Sequence, residues 1–267
     1  MPSARAGKTV KKIAWKGKRA TLLIDDDEVT LSENAFSEFR LYVGKELSSS
    51  EFRKLKDYAA LDDLYSYGLK LLSARSYTSY EIRGKLMKRS AEIEDIRKVI
   101  FRLKKNGLLD DEAYAKGYLE DAYELKGYGE KRIRFELERK GIPPEVVASL
   151  PFSYEKELMS AKKISRQLEK RYASVPNQAK RDKIMNALLA RGYSNSLARE
   201  ASGDIEENEE AMEASLLEKD YNKSKARYGR KYQGYELKQK LMAYLLGKGY
   251  RYEDIKHMEE DEDENNC

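Results

Sequence analysis

The sequence predicts a mostly α-helical protein of tandem three-helix repeats in an elongated, curved array, with a small β-ribbon at its N-terminus. Three observations indicate this fold class. A pair of aliphatic residues four positions apart recurs four times, each followed four residues later by a position typical of a helix end. Residues that favour helices are abundant, and the 267-residue chain has only 5 prolines. The apolar content, 40%, is spread thinly, as in stacked units that each bury a narrow stripe.

The N-terminal segment has the pattern of a ribbon followed by short helices. Turn-forming residues separate three β-prone stretches, at 9–14, 19–24 and 28–31. Ser32 is placed to cap a short helix, and Ser48 with Glu51 forms a capping-box pattern before the next one. Because so small a ribbon is marginally stable alone, we expect it to pack on its helical neighbour.

The four aliphatic pairs define four repeats. In each repeat we expect a long first helix, a second helix that carries the pair, and a third helix after the stop. The pairs, each with its stop residue, are Ile82-Leu86-Ser90, Ile133-Leu137-Gly141, Ile184-Leu188-Gly192 and Leu241-Leu245-Gly249. The predicted segments are the N-terminal 1–57, the repeats 58–107, 108–151, 152–203 and 204–258, and an acidic disordered tail at 259–267.

Glycine explains the stop in three of the four repeats. Gly141, Gly192 and Gly249 can adopt the left-handed backbone conformation at little cost, and an apolar residue follows each, as in a Schellman cap. The first repeat has Ser90-Ala91 instead, so its turn geometry is not predicted by this pattern.

The composition disfavours an enzyme. His257 is the only histidine and Cys267 the only cysteine, which argues against a Ser-His or Cys-His pair, a disulfide or a thiolate metal site. No phosphate-binding glycine loop is present. No apolar stretch approaches the roughly eighteen residues of a membrane helix, and no signal peptide is evident. We expect a monomeric, non-enzymatic cytoplasmic protein without cofactor, metal or membrane contact.

Positive charge recurs at fixed positions in the repeats. The residue before each stop is basic in all four repeats, and the residue before each pair is basic in three. A cation in the last helical turn offsets the helix dipole by roughly 0.3–1 kcal/mol, which accounts for the first column. Alternatively, the cations form a stripe for an anionic partner. The candidate partner-binding residues are Arg75, Lys85, Arg89, Arg132, Arg139, Lys140, Lys183, Arg191, Lys240 and Lys248.

The basic N-terminus supports a rival interpretation, direct nucleic-acid binding. Residues 1–19 contain no acid, whereas residues 259–264 are all acidic. The 20 tyrosines could stack on bases, but on first helices (Tyr65, Tyr114, Tyr118) they fit half-buried packing better. The candidate nucleic-acid residues are Lys11, Lys12, Lys16, Lys18 and Arg19.

Two stretches of the chain follow a known family pattern. They are LLSARSYTSYEIRGKL at 71–86, and a second run with GLLDDEAYA at 107–115, GYG at 127–129 and RIRFELERKGI at 132–142. This pattern resembles the RecX family, bacterial regulators of the RecA recombinase. The sequence departs from it at Thr78, Ala122 and Glu130. The N-terminal ribbon and the fourth repeat are similar to those of longer family members.

The resemblance implies both a fold and a function. Family members are curved rods of three-helix units that lie in the helical groove of the RecA–single-stranded DNA filament. There they obstruct the groove, lower ATP hydrolysis and strand exchange, and block filament extension. Direct binding of single- or double-stranded DNA, inside or outside the filament, stays open as the alternative, as does a helical scaffold for another partner.

Overall fold

The computed structural model describes residues 7–90 and 92–265, with side chains as far as Glu260. Within these ranges the protein is mostly helical, with thirteen α-helices and one small sheet, as predicted. It divides into two compact units, one formed by Met1–Gly117 and Leu137–Ser149, the other by Tyr118–Glu136 and Leu150–Cys267. None of the described helices combines the length and the apolarity needed to cross a bilayer.

The N-terminal segment is a four-stranded antiparallel sheet in the order β3-β2-β1-β4. Its strands are β1 (Lys8–Lys16), β2 (Arg19–Ile24), β3 (Asp27–Ser32) and β4 (Glu46–Leu47). The three predicted strands are confirmed, whereas β4, with two residues, is too short to produce a sequence pattern. Ser32 caps helix α1 (Glu33–Glu38), also as predicted.

Helix α2 (Ser49–Ala74) joins the sheet to the first repeat. Ser48 and Glu51 form the predicted capping box at its start. Phe52 and Leu55 in its first half belong to the core of the sheet, whereas Leu64 in its second half belongs to the core of the first repeat. The predicted boundary between 57 and 58 therefore falls inside one continuous helix that serves both cores.

Four three-helix repeats follow the predicted pattern. After α2, the first repeat contains α3 (Ser79–Met87) and α4 (Ile93–Lys105). The second contains α5 (Asp111–Asp121), extended by a π-helical turn (Ala122–Lys126), then α6 (Glu130–Arg139) and α7 (Pro144–Ala148). The third contains α8 (Tyr154–Arg171), α9 (Asn177–Ala190) and α10 (Asn195–Gly203), and the fourth α11 (Glu210–Tyr228), α12 (Gly234–Gly247) and α13 (Tyr252–Asn265). Each aliphatic pair is buried, as a core position must be.

Helix α13 continues through the acidic residues to Asn265, where the sequence predicts a disordered tail from residue 259. Glutamate is a good helix former, so an acidic run can extend a helix that has already started. Lys256 and Glu260, one turn apart, form an ion pair of 3.2 Å that favours this continuation.

The three glycines end the second helices as predicted. Their φ angles are 74° at Gly141, 89° at Gly192 and 95° at Gly249, all in the left-handed region. The N–H of the following residue donates to a carbonyl five positions back, which defines a Schellman cap. These bonds join Ile142 to Leu137 (3.1 Å), Tyr193 to Leu188 (3.3 Å) and Tyr250 to Leu245 (3.2 Å).

The same glycines lie in close contact with a neighbouring repeat. In each case the stop glycine lies against the first residues of the second helix of the preceding repeat. A Cβ at these positions would meet Tyr80 from Gly141, Arg132 (2.5 Å) from Gly192 and Ala179 (2.8 Å) from Gly249. We call this contact the joint. The first repeat has no repeat before it, so Ser90 is tolerated at its stop.

An acidic residue completes each joint. It lies in the first turn of the first helix of one repeat and accepts a backbone N–H at the start of the second helix of the preceding repeat. The pairs are Ser79 with Asp111 (2.7 Å), Glu130 with Glu157 (2.9 Å) and Asn177 with Glu213 (3.0 Å). A carboxylate at a helix N-terminus is favourable because free N–H groups and the positive end of the dipole lie there.

Replacing a joint glycine tests this account. We expect Gly192→Ala to lower the free energy of unfolding by at least about 1–2 kcal/mol from the left-handed conformation alone, with the clash against Arg132 adding to the loss. The control is Gly84→Ala within α3, where a Cβ meets nothing within 4 Å. It is expected to stabilise by about 0.5–1 kcal/mol. Urea unfolding followed by circular dichroism measures both changes. Equal unfolding midpoints for the two variants would contradict the conclusion that the joint requires glycine.

Candidate partner-binding surface

The two basic columns singled out in the sequence have different surroundings. The cations before the stops contact other groups of the protein itself. Their partners are Asp63 for Arg89 (3.0 Å), Glu81 for Lys140 (3.2 Å), the Ala187 carbonyl for Arg191 (3.3 Å) and Asp220 for Lys248 (2.6 Å). These charges are therefore engaged inside their own or neighbouring repeats.

Hydrogen bonds raise the pKa of two of these lysines. Burial lowers the pKa of Lys140, but hydrogen bonds to Tyr114 and Glu81 outweigh it, so the pKa is raised above its usual value. Burial also lowers the pKa of Lys248, but hydrogen bonds to Asp220 and Tyr244 raise it by more. The pKa of Lys248 therefore also lies above its usual value. Their positive charge therefore stabilises the helix ends and the joints.

The cations before the aliphatic pairs are not engaged in this way. Among the residues with described side chains, no carboxylate lies within ion-pair distance of Arg132, Lys183 or Lys240. Arg132 is half-buried, and both lysines are exposed. Each lies over a tyrosine ring, at distances to the ring centre of 4.0 Å for Tyr128, 5.5 Å for Tyr172 and 5.5 Å for Tyr232. Ring contacts also occur at Arg89, Lys140 and Lys248, so the absence of an internal acid among the described side chains is what distinguishes this column from those three cations.

The first repeat reaches the same arrangement by another route. Its equivalent position is Glu81, which pairs with Lys140. Arg75 supplies the cation instead and lies 3.7 Å from the centre of the Tyr77 ring. We call these four contacts the cation–tyrosine pairs: Arg75 with Tyr77, Arg132 with Tyr128, Lys183 with Tyr172, and Lys240 with Tyr232.

The tyrosines of these pairs were missed by sequence reasoning. All four lie in the linker between a first and a second helix, whereas the sequence directs attention to tyrosines on the first helices. The latter, such as Tyr65, Tyr114 and Tyr118, are half-buried, as predicted. A tyrosine just after each first helix, compared across the four repeats, is the signal that could have revealed the pairs.

The remaining candidate residues lie elsewhere. Lys85 on α3 and Arg139 on α6 are exposed. Four N-terminal lysines lie exposed on β1 or in its turn to β2: Lys11, Lys12, Lys16 and Lys18. Arg19 is less available, because it forms an ion pair of 3.2 Å with Asp63. Within the described residues, no group of three or more His, Cys, Asp or Glu could hold a metal ion.

These features define a class of protein: an α-helical repeat protein with a small N-terminal sheet and recurring cations on its second helices. The chain matches the models of three RecX domains. The matches are the first three-helix domain at 65–103, the second at 110–149 and the third at 214–257.

Curated relatives agree with the domain matches. The chain is 31% identical to "Regulatory protein RecX" of Streptococcus gordonii over 92% of this chain and 96% of that protein. It is 32% identical to the protein of the same description from Lactococcus lactis subsp. lactis over 86% and 88%. The chain belongs to the RecX family of regulatory proteins, as the resemblance indicated.

Solved structures agree with the fold. A structure described as "Crystal structure of regulatory protein RecX" has a TM-score of 0.60 at 26% identity, covering 74% of this chain and 99% of that one. RecX from Lactobacillus salivarius, at 22% identity, has a TM-score of 0.51 over 55% of this chain and 96% of that one, which supports the fold alone. The second domain model matches the second repeat of this chain, and the third domain model matches its fourth repeat. The third repeat, at 152–203, lies between these two matches.

Charge-reversal variants test whether the two columns of cations differ in their contribution to stability. We expect Lys248→Glu to lower the free energy of unfolding by roughly 1.5–3 kcal/mol, because it removes a charged hydrogen bond and opposes Asp220. The matched change Lys240→Glu, on the same helix, is expected to cost about 0.5 kcal/mol, since only the contact with Tyr232 is lost. Thermal and urea unfolding measure both. Similar losses of stability in the two variants would contradict the conclusion that Lys248 is held by an internal acid and Lys240 is not.

Proposed function

We propose that this protein is a non-enzymatic regulator that binds the RecA–single-stranded DNA filament in its helical groove. Bound there, it inhibits ATP hydrolysis and strand exchange by obstructing the groove and filament growth. Membership of the RecX family supports this function. The observation that carries it is the recurrence of uncommitted cations, Arg132, Lys183 and Lys240, at one equivalent position in successive repeats.

The strength of such binding comes from repetition. A single exposed ion pair contributes about 0–1 kcal/mol, too little to hold a regulator on its partner. A filament presents the same protomer surface again and again, so several repeats can each make one such contact. Linked contacts raise the overall affinity far above that of any one contact. The protein therefore prefers the assembled filament to free RecA protomers.

Inhibition assays test the proposal. Wild-type protein, added to RecA filaments on single-stranded DNA, is expected to lower ATP hydrolysis and strand exchange. The triple variant Arg132→Glu, Lys183→Glu, Lys240→Glu is expected to need at least about tenfold more protein for the same effect, because three ion pairs of roughly 0.5 kcal/mol each are lost.

The control has the same change in net charge at exposed lysines of the first helices. The variant Lys116→Glu, Lys163→Glu, Lys223→Glu alters α5, α8 and α11 instead and is expected to inhibit like wild type. Equal loss in the two triple variants would mean that overall charge, rather than position, determines binding. Absence of inhibition by the wild type at several-fold excess would reject the function itself.

Direct DNA binding is the second candidate, favoured by the exposed lysines of the N-terminal sheet. Binding of single-stranded DNA without RecA would then be tight and fall steeply with salt. Reversing Lys12, Lys16 and Lys18 would abolish it, whereas the Arg132, Lys183 and Lys240 variant would bind like wild type. Filter binding across a salt series distinguishes this candidate from filament binding.

A further inference from the structure

We infer that the cation–tyrosine pairs are preformed binding sites for carboxylates on the protein subunits of the partner filament. This inference rests on the proposed function and makes it more specific. It assigns a role to the exposed faces of four linker tyrosines, Tyr77, Tyr128, Tyr172 and Tyr232, of which Tyr77 and Tyr172 also pack against the cores of their repeats.

The cation–tyrosine pairs recur in all four repeats, although the number of residues between cation and tyrosine differs from repeat to repeat. Arg75 precedes Tyr77 by two residues, whereas Arg132 follows Tyr128 by four. In the last two repeats the lysine follows its tyrosine by eleven and eight residues. In all four the ring comes from the linker between the first and second helices. Because local sequence differs while the arrangement is retained, a single turn geometry does not explain the pairs.

A ring beneath the cation prepares it for binding. Long side chains lose conformational freedom when a partner immobilises them, and this loss opposes association. A tyrosine face holds the cation in place beforehand through the attraction between positive charge and the aromatic ring. Contact through the ring face leaves the N–H groups at the edge of a guanidinium free for the two oxygens of a carboxylate.

The cations of the pairs are largely free to meet an external acid. No internal ion pair holds Arg132, Lys183 or Lys240 within the described part of the chain. In the first repeat, Glu81 lies 3.9 Å from Arg75 but is nearer to Lys140, at 3.2 Å. The pairs therefore differ from Arg89, Lys140 and Lys248, which form ion pairs with acids of the protein itself.

The spacing of the pairs favours protein carboxylates over phosphates. Each three-helix repeat carries one pair, and packed helices are already about 8–10 Å apart. Duplex DNA carries one charge per roughly 1.7 Å, so a protein that reads its backbone gains from densely clustered cations. A protein filament instead repeats each surface carboxylate once per subunit. One cation–tyrosine pair per repeat fits such a partner.

Removing the rings without changing charge tests the inference. The triple variant Tyr128→Leu, Tyr172→Leu, Tyr232→Leu is expected to bind RecA filaments on single-stranded DNA about tenfold more weakly, because three exposed cation–ring contacts are lost. The triple Tyr→Phe variant keeps each ring and is expected to stay within about twofold of wild type. Equilibrium binding measured by fluorescence anisotropy reports both affinities.

Two further variants serve as controls. Tyr118→Leu removes a ring beneath Lys126, which is a contact outside the linkers that precede second helices, and is expected to bind like wild type. Lys183→Met with Lys240→Met keeps both rings and changes only exposed side chains, so it does not depend on linker packing. This double variant is expected to bind about fivefold more weakly.

The outcomes separate the inference from the function on which it rests. If wild type does not bind the filament, the proposed function fails. If wild type binds and both the Leu triple and the Lys→Met double bind equally well, the inference is overturned while the function stands. If the Leu triple weakens binding to naked single-stranded DNA by the same factor, phosphates rather than carboxylates are the ligands, and the assignment is overturned.

Discussion

The joint between successive second helices is the contact on which the repeats depend. At each joint a glycine performs two tasks, because its left-handed conformation ends one helix and its missing side chain admits the start of another. An acidic residue then occupies the N-terminus of the receiving helix. The carboxyl end of one helix thus faces the amino end of another, which places opposite ends of two helix dipoles together.

Contacts within the protein also determine which positive charges remain for a partner. Lys140, before a stop, pairs across a joint with Glu81, whereas Arg89 and Lys248 pair with acids of their own repeats. A cation before an aliphatic pair lies in the first turns of the second helix, and Lys183 and Lys240 form no ion pair with any carboxylate whose side chain the structure describes. Two columns that look alike in sequence therefore have different physical roles, and tertiary contacts within and between repeats distinguish them.

Sequence reasoning succeeded where structure is local. The strands, the capping box at Ser48 and the glycine caps follow from residues a few positions apart, and all are observed. The acids of the joints were missed because Asp111 and Ser79 meet only through packing across 32 residues. The linker tyrosines were missed for the same reason in the third repeat, where ring and cation lie on separate elements. The predicted boundary between 57 and 58 falls inside α2, because one helix serves two cores.

The uniformity of the joint bears on how proteins of this architecture change in length. Each unit carries its own glycine and its own acid for the start of the preceding second helix, and offers the start of its own second helix to the next unit. A duplicated unit therefore brings along everything needed to dock between two existing neighbours. The third repeat, at 152–203, lies between stretches that match consecutive domain models. Growth by a whole module preserves every interface already present, whereas insertion of a partial module would separate a glycine from the helix that receives it.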